Sequence, residues 1–222
     1  MPKDQQTETL PRRGIQRRTV IKGAAWSVPV VAAAVAVPNA SASPTAPCSV
    51  AVPAWTAWSD GATGAFTEGT CGRPQPEANG QWWQWCDATE TSDYTTFKCA
   101  TVSMVAGQTY SITFTTQANS GIPTPNSPAN LVLTIDGSPL WAGYTVGSTG
   151  ASADPGGANS HRLTTATNGS NRTDQTWTVF YTANTTGDVL LCYTWTAYQR
   201  TAANGDTSTD DIGTSLPVIT CN

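Results

Sequence analysis

Five consecutive residues, Gln81-Trp82-Trp83-Gln84-Trp85, set three indoles beside two amides. Indole faces pack on the apolar C–H faces of sugar rings, while amides and a nearby cation read the hydroxyls. On that basis Gln81, Trp82, Trp83, Trp85 and Arg73 form a candidate ligand face. In an extended strand Trp83 and Trp85 would share one side with Gln81. A second reading stays open, because large aromatics also fill the core of a small sandwich and Trp85 abuts Cys86. Trp177 and Trp195, on alternating apolar stripes, are expected in the core.

Catalytic signatures are sparse. Glycoside hydrolysis uses two carboxylates ~5–9.5 Å apart. Beyond residue 42 the glutamates are Glu68, Glu77 and Glu90, all in the least regular part, while Asp136, Asp174 and Asp188 sit at turns. There is no Gly-x-Ser-x-Gly elbow and no His-Glu-x-x-His. His161 stands alone in a Gly-rich loop and is expected to face solvent. Binding therefore outranks catalysis, with a small β-jelly-roll glycosidase as the enzymatic alternative.

The six cysteines, Cys48, Cys71, Cys86, Cys99, Cys192 and Cys221, make an even set, which in an oxidising compartment means three disulfides among 15 connectivities. No CxxC pair accompanies the single histidine, so a zinc site is not expected. The preferred pairing closes a loop with Cys71–Cys86, joins the ends with Cys48–Cys221, and links strands with Cys99–Cys192. Parity supports the last. Leu191, Tyr193 and Trp195 share one strand side while Cys192 points the other way, and Cys99 lies opposite Val102 and Met104.

Charge divides the chain. Residues 1–42 hold six basic side chains against two acidic, whereas residues 43–222 hold five against 13. Only 12% of all residues are charged, which excludes a nucleic-acid binder. A basic segment leads into the Ala/Val-rich run Gly23–Val37 and then Ala40-Ser41-Ala42, the layout of a cleaved export signal. The apolar run is about 15 residues, short of the ~20 that a spanning helix needs, and Pro29 interrupts it. Arg17-Arg18-Thr19-Val20-Ile21-Lys22 resembles the twin-arginine export motif, with Arg17, Arg18 and Lys22 as its charged positions. Together with the Gly23–Val31 segment it resembles the leaders of actinobacterial surface proteins. Residues 1–42 thus read as a signal peptide, and contact with the membrane is expected only during export.

Residues 43–222 read as one all-β domain. Tyr110, Ile112 and Phe114 alternate with Ser111, Thr113 and Thr115; Leu131, Leu133 and Ile135 run into the Asp136-Gly137 turn. Trp177, Val179 and Tyr181 form a further stripe, and Val189 through Ala197 the longest. Thr supplies 34 of these 180 residues, and its β-branched side chain favours half-wet strands. An antiparallel β-sandwich follows, with long polar loops at 119–130, 143–162 and 199–209.

Val105-Ala106-Gly107-Gln108-Thr109-Tyr110, Leu133-Thr134-Ile135-Asp136-Gly137 and Asp210-Asp211-Ile212 occur in an order that resembles jelly-roll, galactose-binding-like carbohydrate-binding modules across residues ~100–216. That resemblance implies a jelly-roll topology and a glycan partner. It also implies a structural calcium bound by Asp210 or Asp211, although no cofactor is required. The expectation is an extracellular or cell-envelope, non-catalytic module that binds glycan or cell-wall polysaccharide. The alternative is a structural or adhesion protein that contacts another surface protein.

Overall fold

The computed structural model describes residues 48–66, 74–77, 79–120, 125–157, 159–167, 172–201 and 208–222. All of them belong to one compact unit, Pro47–Asn222. The proposed signal peptide, Arg73 and Cys71 lie outside the described residues.

In chain order the strands are β1 (Ser49–Val50), β2 (Ser59–Gly64), β3 (Gln75–Pro76), β4 (Trp82–Gln84) and β5 (Tyr94–Met104). Then come β6 (Thr109–Ser120), β7 (Asn126–Ser127), β8 (Ala129–Ile135), β9 (Ser138–Tyr144), β10 (Ser160–Arg162) and β11 (Thr165–Thr167). The last are β12 (Gln175–Thr182), β13 (Gly187–Ala197), β14 (Ser208–Thr209), β15 (Asp211–Thr214) and β16 (Val218–Cys221). Two sheets form a β-sandwich. One runs β1-β16-β6-β15-β4-β3, with β12 and β11 on the other edge of β6; the second runs β10-β9-β8-β13-β5-β2. A small parallel pair joins β14 to β7.

Period-two patterning explains the layers. Leu191, Tyr193 and Trp195 of β13 turn inward and are fully buried, facing Tyr110, Ile112 and Phe114 of β6 across the core. Burying each such side chain contributes about 1.5–3 kcal/mol. The expected turn at Asp136-Gly137 joins β8 to β9 with both residues in the left-handed region, φ 47° and 76°. That is the conformation a two-residue type I′ hairpin requires. The sheets are largely antiparallel, but β10 runs parallel to β9 and β11 parallel to β6. The end of the expected 143–162 loop is therefore a strand, which returns alongside the sheet it left.

The stretch before residue 95 is less irregular than its sequence implies. A 3-10 turn at Trp55–Ala57 delivers Trp55 and Trp58 into the core, where both meet Tyr193. Lys98 also points inward, 1% exposed. Its ammonium lies 3.2 Å from an Asp60 carboxylate oxygen and 3.8 Å from the centre of the Trp82 ring. A buried cation is tolerated only with such partners.

Two of the expected disulfides are present. Cys48–Cys221 ties β1 to β16 with Cα atoms 5.3 Å apart. Cys99 and Cys192 are directly opposed on β5 and β13, Cα atoms 4.1 Å apart, on the side of the sheet away from the core. Cys86 is disulfide-bonded as well. Peptide mapping without reduction should recover a Cys99–Cys192 fragment. The Cys99→Ala/Cys192→Ala pair should lose about 2–5 kcal/mol in denaturant unfolding, and an unchanged midpoint would contradict a structural role.

Candidate ligand-binding site

Strand β4 separates its tryptophans by parity. Trp82 turns toward the core, 5.8 Å from Trp55 between ring centres, beneath the Lys98 ammonium. Trp83 lies on the opposite face and stacks on Trp85 at 4.7 Å and 10°. Sequence parity anticipates that Trp83–Trp85 pairing, but of the expected ligand face Trp83 and Gln81 are buried, while Trp82 and Trp85 are half-buried. Trp83 is 0% exposed and Gln81 5%. The Arg172 guanidinium covers both rings, 4.4 Å from Trp83 and 5.0 Å from Trp85. Arg172 is held by both Glu77 oxygens at 2.8 Å. Gly213 lies flat against Trp83, so that a Cβ there would sit 2.1 Å from the ring. Gln81 donates to Asp174 Oδ1, which also accepts from Gln117. Packing closes the cluster, but Gln81 Oε1, Trp83 Nε1 and Arg172 Nε are buried there without a hydrogen-bond partner; Trp85 is half-buried at its margin. Sequence reasoning missed Arg172 because nothing local links it to residue 83.

Asp211 opens β15, and Asp210 immediately precedes it. Asp210 is buried, accepts a hydrogen bond from the Asn126 amide, and donates its backbone N–H to the Ser127 carbonyl at 2.8 Å. Asp211 pairs with Asn119 across to β6. Burial, then the Asp87 and Asp210 carboxylates, push its pKa well above the usual carboxylate range, against the Asn119 hydrogen bond and Arg172. Calcium takes six to eight oxygens. Among the described residues no three His, Cys, Asp or Glu side chains are grouped to hold an ion.

A different aromatic surface lies at the open side of the sandwich, where the β12 edge meets β9 and β10. Three rings build it: Trp141 from β9, His161 from β10 and Trp177 from β12. Ring centres are 4.7 Å apart for His161–Trp177, 5.3 Å for Trp141–Trp177 and 6.1 Å for Trp141–His161. Trp141 is buried and anchored edge-on against Phe114 at 5.0 Å and 84°. It leans over Gly143, where a Cβ would come within 2.3 Å of its ring. Trp177 is half-buried, its indole N–H fixed on Thr116 Oγ1 at 2.9 Å.

These rings floor a groove of about 430 Å³ lined also by Leu140, Asn159, Thr178, Val179 and Phe180. Ligand sites typically occupy ~300–1,000 Å³. A second depression of about 140 Å³ adjoins it, sharing Leu140, Trp141 and Asn159 and bounded by Gly156 and Gly157. Both glycines are left-handed, φ 78° and 99°. Their turn is organised by Asp154, which accepts from the Ser160 hydroxyl and from Gly156 N–H at 2.8 Å; these bonds hold its pKa below the usual value.

Two expectations change here. His161 sits in a strand against two tryptophans rather than in an open loop, and Trp177 is a groove wall as well as a core neighbour. Parity places Trp177 on the correct face; only the position of β12 at a sheet edge leaves that ring accessible. Among the described residues the groove lining contains no carboxylate and one titratable side chain, His161.

Asp211 yields a pH prediction. Its folded-state pKa exceeds the unfolded value, so the folded chain holds a proton that the unfolded chain has released. Its contribution to stability is complete at low pH and lost as pH rises through the folded-state value. Asp211→Asn should therefore match wild type in thermal midpoint near pH 4 and exceed it progressively toward neutrality. Parallel pH curves would refute this. No protein-family model matches the chain, and no curated protein matches it.

Proposed function

We propose that the mature chain is a non-catalytic β-sandwich module acting outside the cytoplasm, which binds glycan through the Trp141–His161–Trp177 groove. One observation carries the reading: a groove of ligand size with a half-buried tryptophan and a histidine ring in contact on its floor. Aromatic stacking supplies affinity for the C–H face of a sugar, and Asn159, Thr178 and His161 supply polar contacts at its rim. The proposed binding surface moves from residues 81–85, where Lys98 lies over Trp82 and Arg172 over Trp83 and Trp85, to the β9–β12 edge.

The compartment follows from bonded cysteines, which persist where the medium is oxidising. Among the described residues no helix is long and apolar enough to cross a membrane. Export through the twin-arginine route, in the manner of actinobacterial surface proteins, is the part of the proposal that rests on Arg17, Arg18 and Lys22. The jelly-roll, carbohydrate-module likeness of residues ~100–216 supports the glycan assignment in the same way. A protein partner is the second reading, favoured by Phe180 and Val218, 62% and 63% exposed on outer positions of β12 and β16.

Titrating tryptophan fluorescence against a panel of polysaccharides separates the two. Glycan binding predicts a saturable change, with at least about a tenfold affinity loss in Trp177→Ala, equivalent to ~1.4 kcal/mol. Trp85→Ala should leave affinity unaltered. No response to any polysaccharide, together with capture of a surface protein lost in Val218→Ser, would select the second reading. Replacing Arg17 and Arg18 with lysine should retain the precursor in the cytoplasm, and unimpaired secretion would remove the twin-arginine assignment.

A further inference from the structure

We infer that the groove accommodates an internal stretch of an uncharged polysaccharide, a substrate class that deepens the glycan reading and rests on it. The first observation is charge. Among the described residues, neither the main groove nor the adjoining depression is lined by Asp, Glu, Lys or Arg. A uronic acid or a phosphate-bearing sugar seated there would lose hydration without gaining a cationic partner. Residues 43–222 also carry 13 acidic side chains against five basic, a field that repels polyanions on approach. Neutral rings meet neither penalty.

The second observation is spacing. His161 and Trp177 lie 4.7 Å apart between ring centres, and Trp177 and Trp141 5.3 Å. These are van der Waals contacts, and no slot remains between the rings to clamp a terminal sugar. Trp141 is buried beneath, so Trp177 and His161, half-buried and tilted 36° to each other, offer the accessible ring surface, on which a sugar lies with one face down and its two linkages free. The third observation is continuity. The smaller depression extends the floor across Leu140, Trp141 and Asn159, so the same amide borders two successive positions along the trough. A chain that fits there occupies at least two units and continues beyond them.

The experiment uses the mature, oxidised protein in calorimetric titrations at low and high salt. Its probes are neutral oligosaccharides from one to six units (gluco, manno and galacto series), polygalacturonate and hyaluronan. The inference expects neutral chains to bind, with affinity rising at least about tenfold from monosaccharide to trisaccharide. Added salt and a blocked reducing end should leave that affinity unchanged. His161→Phe, which keeps a flat ring, should retain binding, whereas His161→Ala should weaken it, both checked for fold by circular dichroism. Preference for the polyanions, or affinity that collapses with salt, overturns the uncharged class while leaving the glycan reading standing. Equal affinity for monosaccharide and chain overturns the internal-stretch geometry, as does loss of binding in a folded His161→Phe protein. Silence toward every carbohydrate overturns the glycan reading itself.

Discussion

The packing of Tyr193 is the contact on which the rest depends. Its ring is fully buried on β13, and four other rings converge on it with centroids within 6.0 Å. Trp55 and Trp58 arrive from the N-terminal 3-10 turn, Phe114 from the opposite sheet, and Trp195 from the same strand. One side chain thereby ties together both sheets and the segment preceding them. Burial also raises the Tyr193 phenol pKa strongly, so it remains a neutral packing element.

From that centre the aromatic contacts continue outward. Phe114 meets Trp141 edge-on, Trp141 meets Trp177, and Trp177 meets His161 at the surface. The floor of the groove is thus the outer end of the core. Close packing holds such a chain of rings in place, because core side chains have few alternative rotamers without opening a void. A surface built this way is pre-formed, with little side-chain freedom left to lose.

Charged groups take the complementary role of closing surfaces that would otherwise be open. Lys98, paired with Asp60, fills the space over Trp82; Arg172, paired with Glu77, covers Trp83 and Trp85. Both use an aromatic face and a carboxylate together, which offsets the desolvation of the cation. In consequence Trp83 and Gln81 are buried and Trp82 and Trp85 half-buried, while among the described residues no Lys or Arg lines the Trp141–His161–Trp177 groove.

Much of the architecture was legible in the chain. Alternation in β6, β8 and β13 identified strands and their inner faces, Asp136-Gly137 identified a hairpin, and opposite parity at Cys99 and Cys192 identified a cross-strand bond. These are local properties, set by the period of two and by allowed backbone angles. The candidate site was not local. Whether Trp83 or Trp177 keeps an accessible face depends on which strand ends at a sheet edge, and on whether a residue nearly ninety positions away, Arg172, lies over the ring. His161 became part of a groove only because β10 returns in parallel beside β9. The sequence by itself determined strand periodicity, the oxidisable cysteine set and the charge division; tertiary structure alone decided which aromatic rings remain open, because exposure is a property of neighbours brought together from distant parts of the chain.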